Sequence, residues 1–164
     1  MATKKKKSNS NTKEPGGKSE NLKFLINAQY LKDLSFENPK APNSLRQLSN
    51  ENAPKFQIDA NVKSKPLSDH GENIFEVELS IKSETKTSDS TLFIVEGVYC
   101  GVFTIENARA EILDKILLIE CPKFLFPFLR SIIASCTREA GFPPLMIAPL
   151  DFVGMYEKKV GAKK

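Results

Sequence analysis

The feature that most constrains this chain is the stretch from Leu22 to Phe36, in which apolar side chains recur at almost every second position. Alternation with a period of two places successive side chains on opposite faces of a strand, so the stretch predicts one long, half-buried β-strand. It is much longer than the roughly 5–6 residues of an ordinary strand. We therefore expect a bulge near Lys32, where the alternation fails. The proline-containing segment 38–43 ends the strand.

Three further strands are predicted downstream. Residues 56–63 and 75–82 alternate between apolar and polar side chains, which indicates strands with one buried face. Residues 91–99 are apolar at both parities, so this strand is expected either to be covered on both faces or to expose an apolar strip. Turn-forming residues at 69–71 and 88–90 separate the strands.

The last third of the chain predicts helices. Residues 107–119 fit a helix with Asn107 as N-cap and with more apolar surface than one face needs. A break rich in proline and phenylalanine follows over 121–128, and a second helix then runs to Ala140, where Gly141 ends it. Pro127 suits the first turn of that helix.

Asp151 is the expected N-cap of a last short helix that carries Phe152, Met155 and Tyr156. Strands followed by helices predict an α+β fold, a four-stranded antiparallel sheet with helices packed on one face.

The net charge of +4 is distributed unevenly. Residues 1–20 carry +4 and residues 157–164 carry +3, whereas the body at 21–156 carries −3. We interpret 1–20 as a disordered basic tail, 21–156 as one folded domain and 157–164 as a basic C-terminal tail. An acidic body, and a lysine run at 4–7 without interleaved aromatic residues, argue against a nucleic-acid-binding protein.

Localisation is predicted from the cysteines and from hydropathy. Cys100, Cys121 and Cys136 are an odd set in apolar contexts, which indicates reduced thiols and a cytoplasmic protein. The basic start has no apolar run after it, so we expect no secretory signal, and no segment is long enough for membrane insertion.

The residue types that catalysis needs are missing. His70 is the single histidine and lies in a polar turn, so it is expected to be a solvated loop residue. The cysteines lack zinc-site spacing, and no phosphate-binding loop is present. We therefore predict no enzyme, no metal and no cofactor. Glu96 shares its predicted strand face with Leu92, Ile94 and Val98, and it is either a salt-bridged structural residue or part of a functional site.

Three ordered blocks resemble a known family. Residues 120–130 (ECPKFLFPFLR) with 141–152 (GFPPLMIAPLDF) are similar to the C-terminal half of the bacterial SecB-type protein-export chaperones. Residues 30–42 (YLKDLSFENPKAP) resemble the first strand and following loop of that family, and 95–105 (VEGVYCGVFTI) resemble its fourth strand. The resemblance covers about residues 22–156.

The resemblance implies an ATP-independent holdase that assembles as a homotetramer, a dimer of dimers. Such a protein binds unfolded precursor proteins, keeps them competent for translocation and delivers them to the motor SecA. By position, the residues expected to contact a basic tail of SecA are Asp33, Glu37, Ile94 and Glu96. The aromatic residues expected to line the client groove are Phe93, Phe126 and Phe128.

Two other functions remain open at the level of sequence. One is a SecB-like protein-interaction chaperone that serves a stress or toxin–antitoxin system instead of export, and SecA binding distinguishes it. The other is an RNA-binding protein that acts through its tails, which would lose binding when residues 1–20 are removed.

Overall fold

The computed structural model describes residues 21–46, 53–88 and 90–162. Four strands form the sheet: β1 (Lys23–Glu37), β2 (Lys55–Pro66), β3 (Ile74–Lys86) and β4 (Thr91–Glu106). The helices are α1 (Ala110–Lys115), a π-helical turn (Ile116–Glu120), α2 (Cys121–Glu139) and α3 (Phe152–Gly161), with short 3-10 turns at Asn43–Arg46 and Ser68–His70. The predicted tail at 1–20 lies outside the described residues.

All strand pairs are antiparallel, in the order β1-β4-β3-β2. Helix α2 packs on β4, and the opposite face of the sheet carries mainly polar side chains, so the predicted α+β architecture is confirmed. β4 lies between β1 and β3, and its apolar residues on the face away from α2, Ile94, Val98 and Val102, are half-buried. We call the side with α2 the helix face and the other side the open face.

Two β-bulges control which side chains of β1 reach each face. The register against β4 shifts between Ile26 and Ala28 and again between Leu31 and Asp33, which leaves Asn27 and Lys32 as extra residues. The bulge at Lys32 was predicted, whereas the one at Asn27 was not. Each extra residue moves the side chains that follow it to the opposite face of the sheet. Ala28 and Tyr30 therefore lie on the open face, although simple alternation assigns them to the apolar side.

The helices differ from the prediction at two points. Asn107 has a positive φ of 62° and is not the N-cap, because α1 begins only at Ala110. No break interrupts the chain at 121–128, since α2 starts at Cys121 with Pro122 in its first turn and Pro127 inside it. Pro127 is tolerated because it and Lys123, whose carbonyl loses its helical donor, are both exposed to water.

Helix α2 lies close against the centre of the sheet. Leu125, Leu129 and Ile133 are fully buried. They pack against β4 where Gly97 and Gly101 present no side chain to the helix face. The two glycines therefore set how near the helix can approach, and this contact forms the middle of the core.

Helix α3 closes the fold. Its N-cap is Asp151, whose Oδ1 accepts a 3.0 Å hydrogen bond from the Gly154 amide, as predicted. Phe152 packs edge-on against Phe126 of α2 with ring centroids 6.3 Å apart. Residues 157–161, which we assigned to the C-terminal tail, are helical. None of the helices in the described ranges is long and apolar enough to cross a membrane.

Candidate functional site

The four residues expected to contact SecA come together on the open face. Across the β1–β4 pair, Asp33 lies opposite Val98, Ser35 opposite Glu96, and Glu37 opposite Ile94. Cross-strand partners share a face of the sheet, so three successive register rows hold Asp33, Glu37, Ile94 and Glu96. The bulge at Lys32 brings Asp33 onto this face.

These side chains are accessible. Asp33 and Glu37 are exposed, and neither forms an ion pair with any residue that the structure describes. Ile94 is half-buried, and the Glu96 side chain is 43% exposed with Nζ of Lys82 at 3.9 Å from its Oε2. Glu96 thus fits both interpretations, a salt-bridged structural residue and part of a functional site, because it is paired with Lys82 and still accessible to a partner.

Leu92 does not belong to this surface. We expected it beside Glu96, but it is fully buried. The pairing of β3 with β4 places Thr85 opposite Phe93 and Lys86 opposite Thr91, so Leu92 is an extra residue. It lines a cleft on the helix face together with Phe93.

The same three rows continue across the sheet. Row by row, β3 contributes Ser80, Lys82 and Glu84, and β2 contributes Asn61, Asp59 and Gln57. We call the carboxylates in these rows the acidic patch: Asp33, Glu37, Asp59, Glu84 and Glu96. Alternation in the second predicted strand placed Asp59 on its polar side, whereas Glu84 lies beyond the predicted strand 75–82. Only the strand order and register show that both join the others.

The far end of the open face is a closed polar network. Lys65 donates to Glu76 at 2.8 Å, Tyr30 donates its hydroxyl to the same carboxylate, and Lys32 donates to Glu78 at 2.8 Å. The hydrogen bonds from Lys65 and then Tyr30 hold the pKa of Glu76 below its ordinary value, and the bond to Glu76 raises the pKa of Tyr30. Glu76 and Glu78, the carboxylates at this end of the sheet, are therefore paired within the chain.

A cleft of about 280 Å³ opens on the helix face between the start of β2 and the segment after α2. Phe93 forms part of its wall and is 3% exposed. The Phe36 ring stacks on it with centroids 5.5 Å apart, and the Phe142 ring lies tilted against it at 4.7 Å. At the rim, Phe56 is 52% and Met146 is 60% exposed. We call this the aromatic cleft; its lining is almost entirely apolar: Pro54, Phe56, Ile58, Thr85, Leu92, Phe93, Phe142, Pro143, Pro144, Leu145, Met146, Ile147 and Ala148.

The other two phenylalanines expected in a client groove lie elsewhere. Phe126 is buried in the core against Phe152. Phe128 is 48% exposed and stacks parallel to Tyr99, with centroids 5.6 Å apart. A proline-punctuated turn could have brought Phe126 and Phe128 together, but two positions along a continuous helix point in nearly opposite directions. The structure therefore does not gather Phe93, Phe126 and Phe128 into one groove.

Phe128 belongs to a second apolar surface. Leu31 and Leu34 of β1 lie opposite Tyr99 and Gly97, on the helix face, and both are exposed. On α2, Phe124 is also exposed and contacts Phe24 at the start of β1. We call this surface the apolar strip: Ile26, Leu31, Leu34, Phe124 and Phe128.

Cys100 and Cys121 are buried, and Cys136 is half-buried. Burial raises the pKa of the Cys100 thiol to about 11 and that of Cys121 to about 12, and it also raises the pKa of Cys136. The thiolate is the nucleophilic form, so a raised pKa makes each of these side chains a weaker nucleophile at neutral pH.

Comparisons with known proteins agree with this architecture. The family model described as "Preprotein translocase subunit SecB" matches residues 17–163. The protein-export protein SecB of Rhodospirillum centenum is 45% identical over 148 residues, 87% of this chain and 82% of that protein. The SecB of Mesorhizobium japonicum is 50% identical over 133 residues, 81% of this chain and 77% of the relative.

Among solved structures, the fold resembles a SecB-like chaperone of Mycobacterium tuberculosis in complex with a peptide from an antitoxin. The TM-score is 0.64 at 14% identity, and the match covers 78% of this chain and 91% of that one.

Proposed function

Because this chain belongs to the SecB family of protein-export chaperones, we propose that it is an ATP-independent holdase that binds unfolded precursor proteins and delivers them to SecA. In this proposal it keeps clients competent for translocation by binding alone, without catalysis, metal or cofactor, in the cytoplasm. The single observation that carries the proposal is that one sheet presents two accessible surfaces of opposite character, an aromatic cleft on the helix face and an acidic patch on the open face.

The aromatic cleft supports client binding. Its rim exposes Phe56 and Met146, while Phe93 and Phe142 form a rigid wall. Each apolar side chain that a client buries contributes roughly 1.5–3 kcal/mol, and a micromolar complex needs about 8 kcal/mol. A few shallow contacts along an extended chain are therefore enough. Of the three phenylalanines predicted to bind clients, we retain Phe93.

The acidic patch supports docking of SecA. Asp33 and Glu37 are exposed, and Ile94 supplies an apolar contact between Glu37 and Glu96. Carboxylates around a half-buried isoleucine suit a basic segment that also carries apolar side chains. Because this surface lies on the other face of the sheet from the cleft, a client and SecA can occupy the protein together.

The apolar strip supports assembly into a tetramer. β1 is an edge strand, and its helix face leaves Leu31 and Leu34 exposed beside Phe128. Unpaired edge strands beside large exposed apolar residues are usually covered in proteins, either by another part of the same chain or by another copy of it. We propose that copies of this chain cover it in a dimer of dimers, which light scattering would detect as four times the chain mass.

Two assays test the proposal. The protein should delay folding or aggregation of a reduced, unfolded precursor without added nucleotide. The variant with Asp33→Lys, Glu37→Lys and Glu96→Lys should still do so but should lose most of its SecA affinity. Salt should weaken the wild-type complex with SecA, because exposed charges are screened. Unchanged SecA binding by this variant would show that the docking site lies elsewhere.

The relatives favour export over the alternative chaperone roles. The matched proteins at 45–50% identity are named protein-export proteins, whereas the chaperone in complex with an antitoxin peptide is 14% identical and supports the fold only. A protein that holds clients but does not bind SecA would instead support a stress or toxin–antitoxin function.

A further inference from the structure

One lysine lies at the centre of the acidic patch. Lys82 of β3 is opposite Glu96 of β4 on one side and opposite Asp59 of β2 on the other. The neighbouring rows hold Glu84 or Ser80 on β3, and Gln57 or Asn61 on β2. Within the parts of the chain that the structure covers, Lys82 is thus the one basic side chain in these three rows.

Lys82 is close to Glu96 but not locked to it. Its Nζ lies 3.9 Å from Oε2 of Glu96, and the two side chains are 53% and 43% exposed. An open ion pair of this length is weak and exchanges readily with solvent. Glu84, in contrast, is held by Lys86 at 2.9 Å from outside the three rows.

We propose that Lys82 is a built-in counter-charge that competes with the basic segment of SecA for Glu96 and thereby sets the affinity and salt dependence of the patch. The inference rests on the proposed function, because it presumes that SecA docks here. A lysine or arginine that approaches Glu96 meets the charge of Lys82 at the same carboxylate. It must displace Lys82 or bind beside it against repulsion.

The size of this effect follows from the exposure of the site. Like charges about 6 Å apart that are separated by water, with a dielectric constant of about 80, repel enough to change a binding constant by roughly threefold. Lys82→Gln removes the charge and keeps a polar side chain on an exposed position, so it should tighten SecA binding by about threefold at low salt. The difference should shrink at about 0.15 M salt and above, where screening acts within about 8 Å.

Lys63 provides a matched control on the same face. It lies opposite Glu78, four positions along β2 from Asp59, which corresponds to about 13 Å. Lys63→Gln changes the net charge by the same amount but lies much farther from Glu96 than Lys82 does, so it should leave SecA affinity nearly unchanged at low salt and unchanged at about 0.15 M, where the screening length is about 8 Å. Lys82→Arg keeps the charge and should bind as the wild type does.

The experiment is isothermal titration of SecA into the wild type, Lys82→Gln, Lys82→Arg, Lys63→Gln and the triple charge-reversal variant, at about 0.05 M and about 0.15 M salt. Tighter binding by Lys82→Gln alone supports the inference. Equal or weaker binding by Lys82→Gln overturns it, and so does equal tightening by Lys63→Gln, which would reflect net charge only. If the triple reversal binds SecA normally, the docking assignment fails and the role of Lys82 fails with it.

Discussion

Leu129 packs so closely over Gly97 that a Cβ added at residue 97 would lie 2.7 Å from its Cδ1. Leu129 is fully buried, and Ile133 lies on the same side, so the leucine has little space into which it can move. Gly97→Ala should therefore lower the free energy of unfolding by about 1–3 kcal/mol. Urea denaturation at one fixed protein concentration measures this, because the stability of an oligomer depends on concentration.

Gly161→Ala is the matched control. Nothing lies within 4 Å of a Cβ added there, at the last residue of α3. It should leave stability unchanged or raise it slightly, since alanine is the better helix former. Equal destabilisation by both substitutions would mean that close packing of α2 is not what requires glycine at residue 97.

Loss of the cap at Asp151 should loosen α3 without unfolding the sheet. Asp151→Ala removes the acceptor for the Gly154 amide and should cost about 1 kcal/mol. Faster amide exchange confined to 152–161 would report it, and Asp151→Asn should largely restore protection because the amide oxygen can also accept. If exchange in 152–161 stayed as slow as in the wild type, the helix would be held by Phe152 and not by its cap.

The pairing of Glu76 predicts a pH dependence. Lys65 and then Tyr30 hold the pKa of Glu76 below its ordinary 4.5. A depressed acid pKa gives stability that is fully present above the unfolded pKa and is lost as the pH falls through the folded pKa. Between about pH 7 and pH 3, the wild type should therefore lose more stability than Glu76→Gln, and their urea midpoints should converge. Parallel curves would contradict this role of the carboxylate.

The sequence predicted the strands well because alternation directly reports which side chains are buried. The bulge at Lys32 was visible because a lysine interrupts the apolar series, whereas the bulge at Asn27 was not, since a polar residue at an odd position fits the simple pattern. Asp59 and Glu84 were missed because register is set by long-range pairing between strands, which alternation within one strand does not contain.

The helical region was harder to predict from local rules. Pro122 and Pro127 indicated a break over 121–128, but tertiary packing of Leu125 and Leu129 on the sheet stabilises a continuous α2. This error determined where the phenylalanines were expected. In a continuous helix Phe126 and Phe128 point to different sides, so one ring is buried and the other is exposed. The sequence therefore identified the aromatic-rich segment but not which of its rings belong to the core.

Two half-exposed phenylalanines allow the proposed surfaces to be separated. Phe56 lies at the rim of the aromatic cleft, and Phe128 lies in the apolar strip, with exposed fractions of 52% and 48%. Because each already has about half its surface in water, a serine at either position should cost less stability than at a core phenylalanine, where roughly 3–5 kcal/mol is typical.

Phe56→Ser should impair client holding while the tetramer and its SecA affinity persist. Phe128→Ser should instead lower the mass measured by light scattering, because it removes apolar contact between copies. If Phe128→Ser remained a tetramer and lost client holding, Phe128 would line the client groove as first expected and the apolar strip would not be the assembly surface.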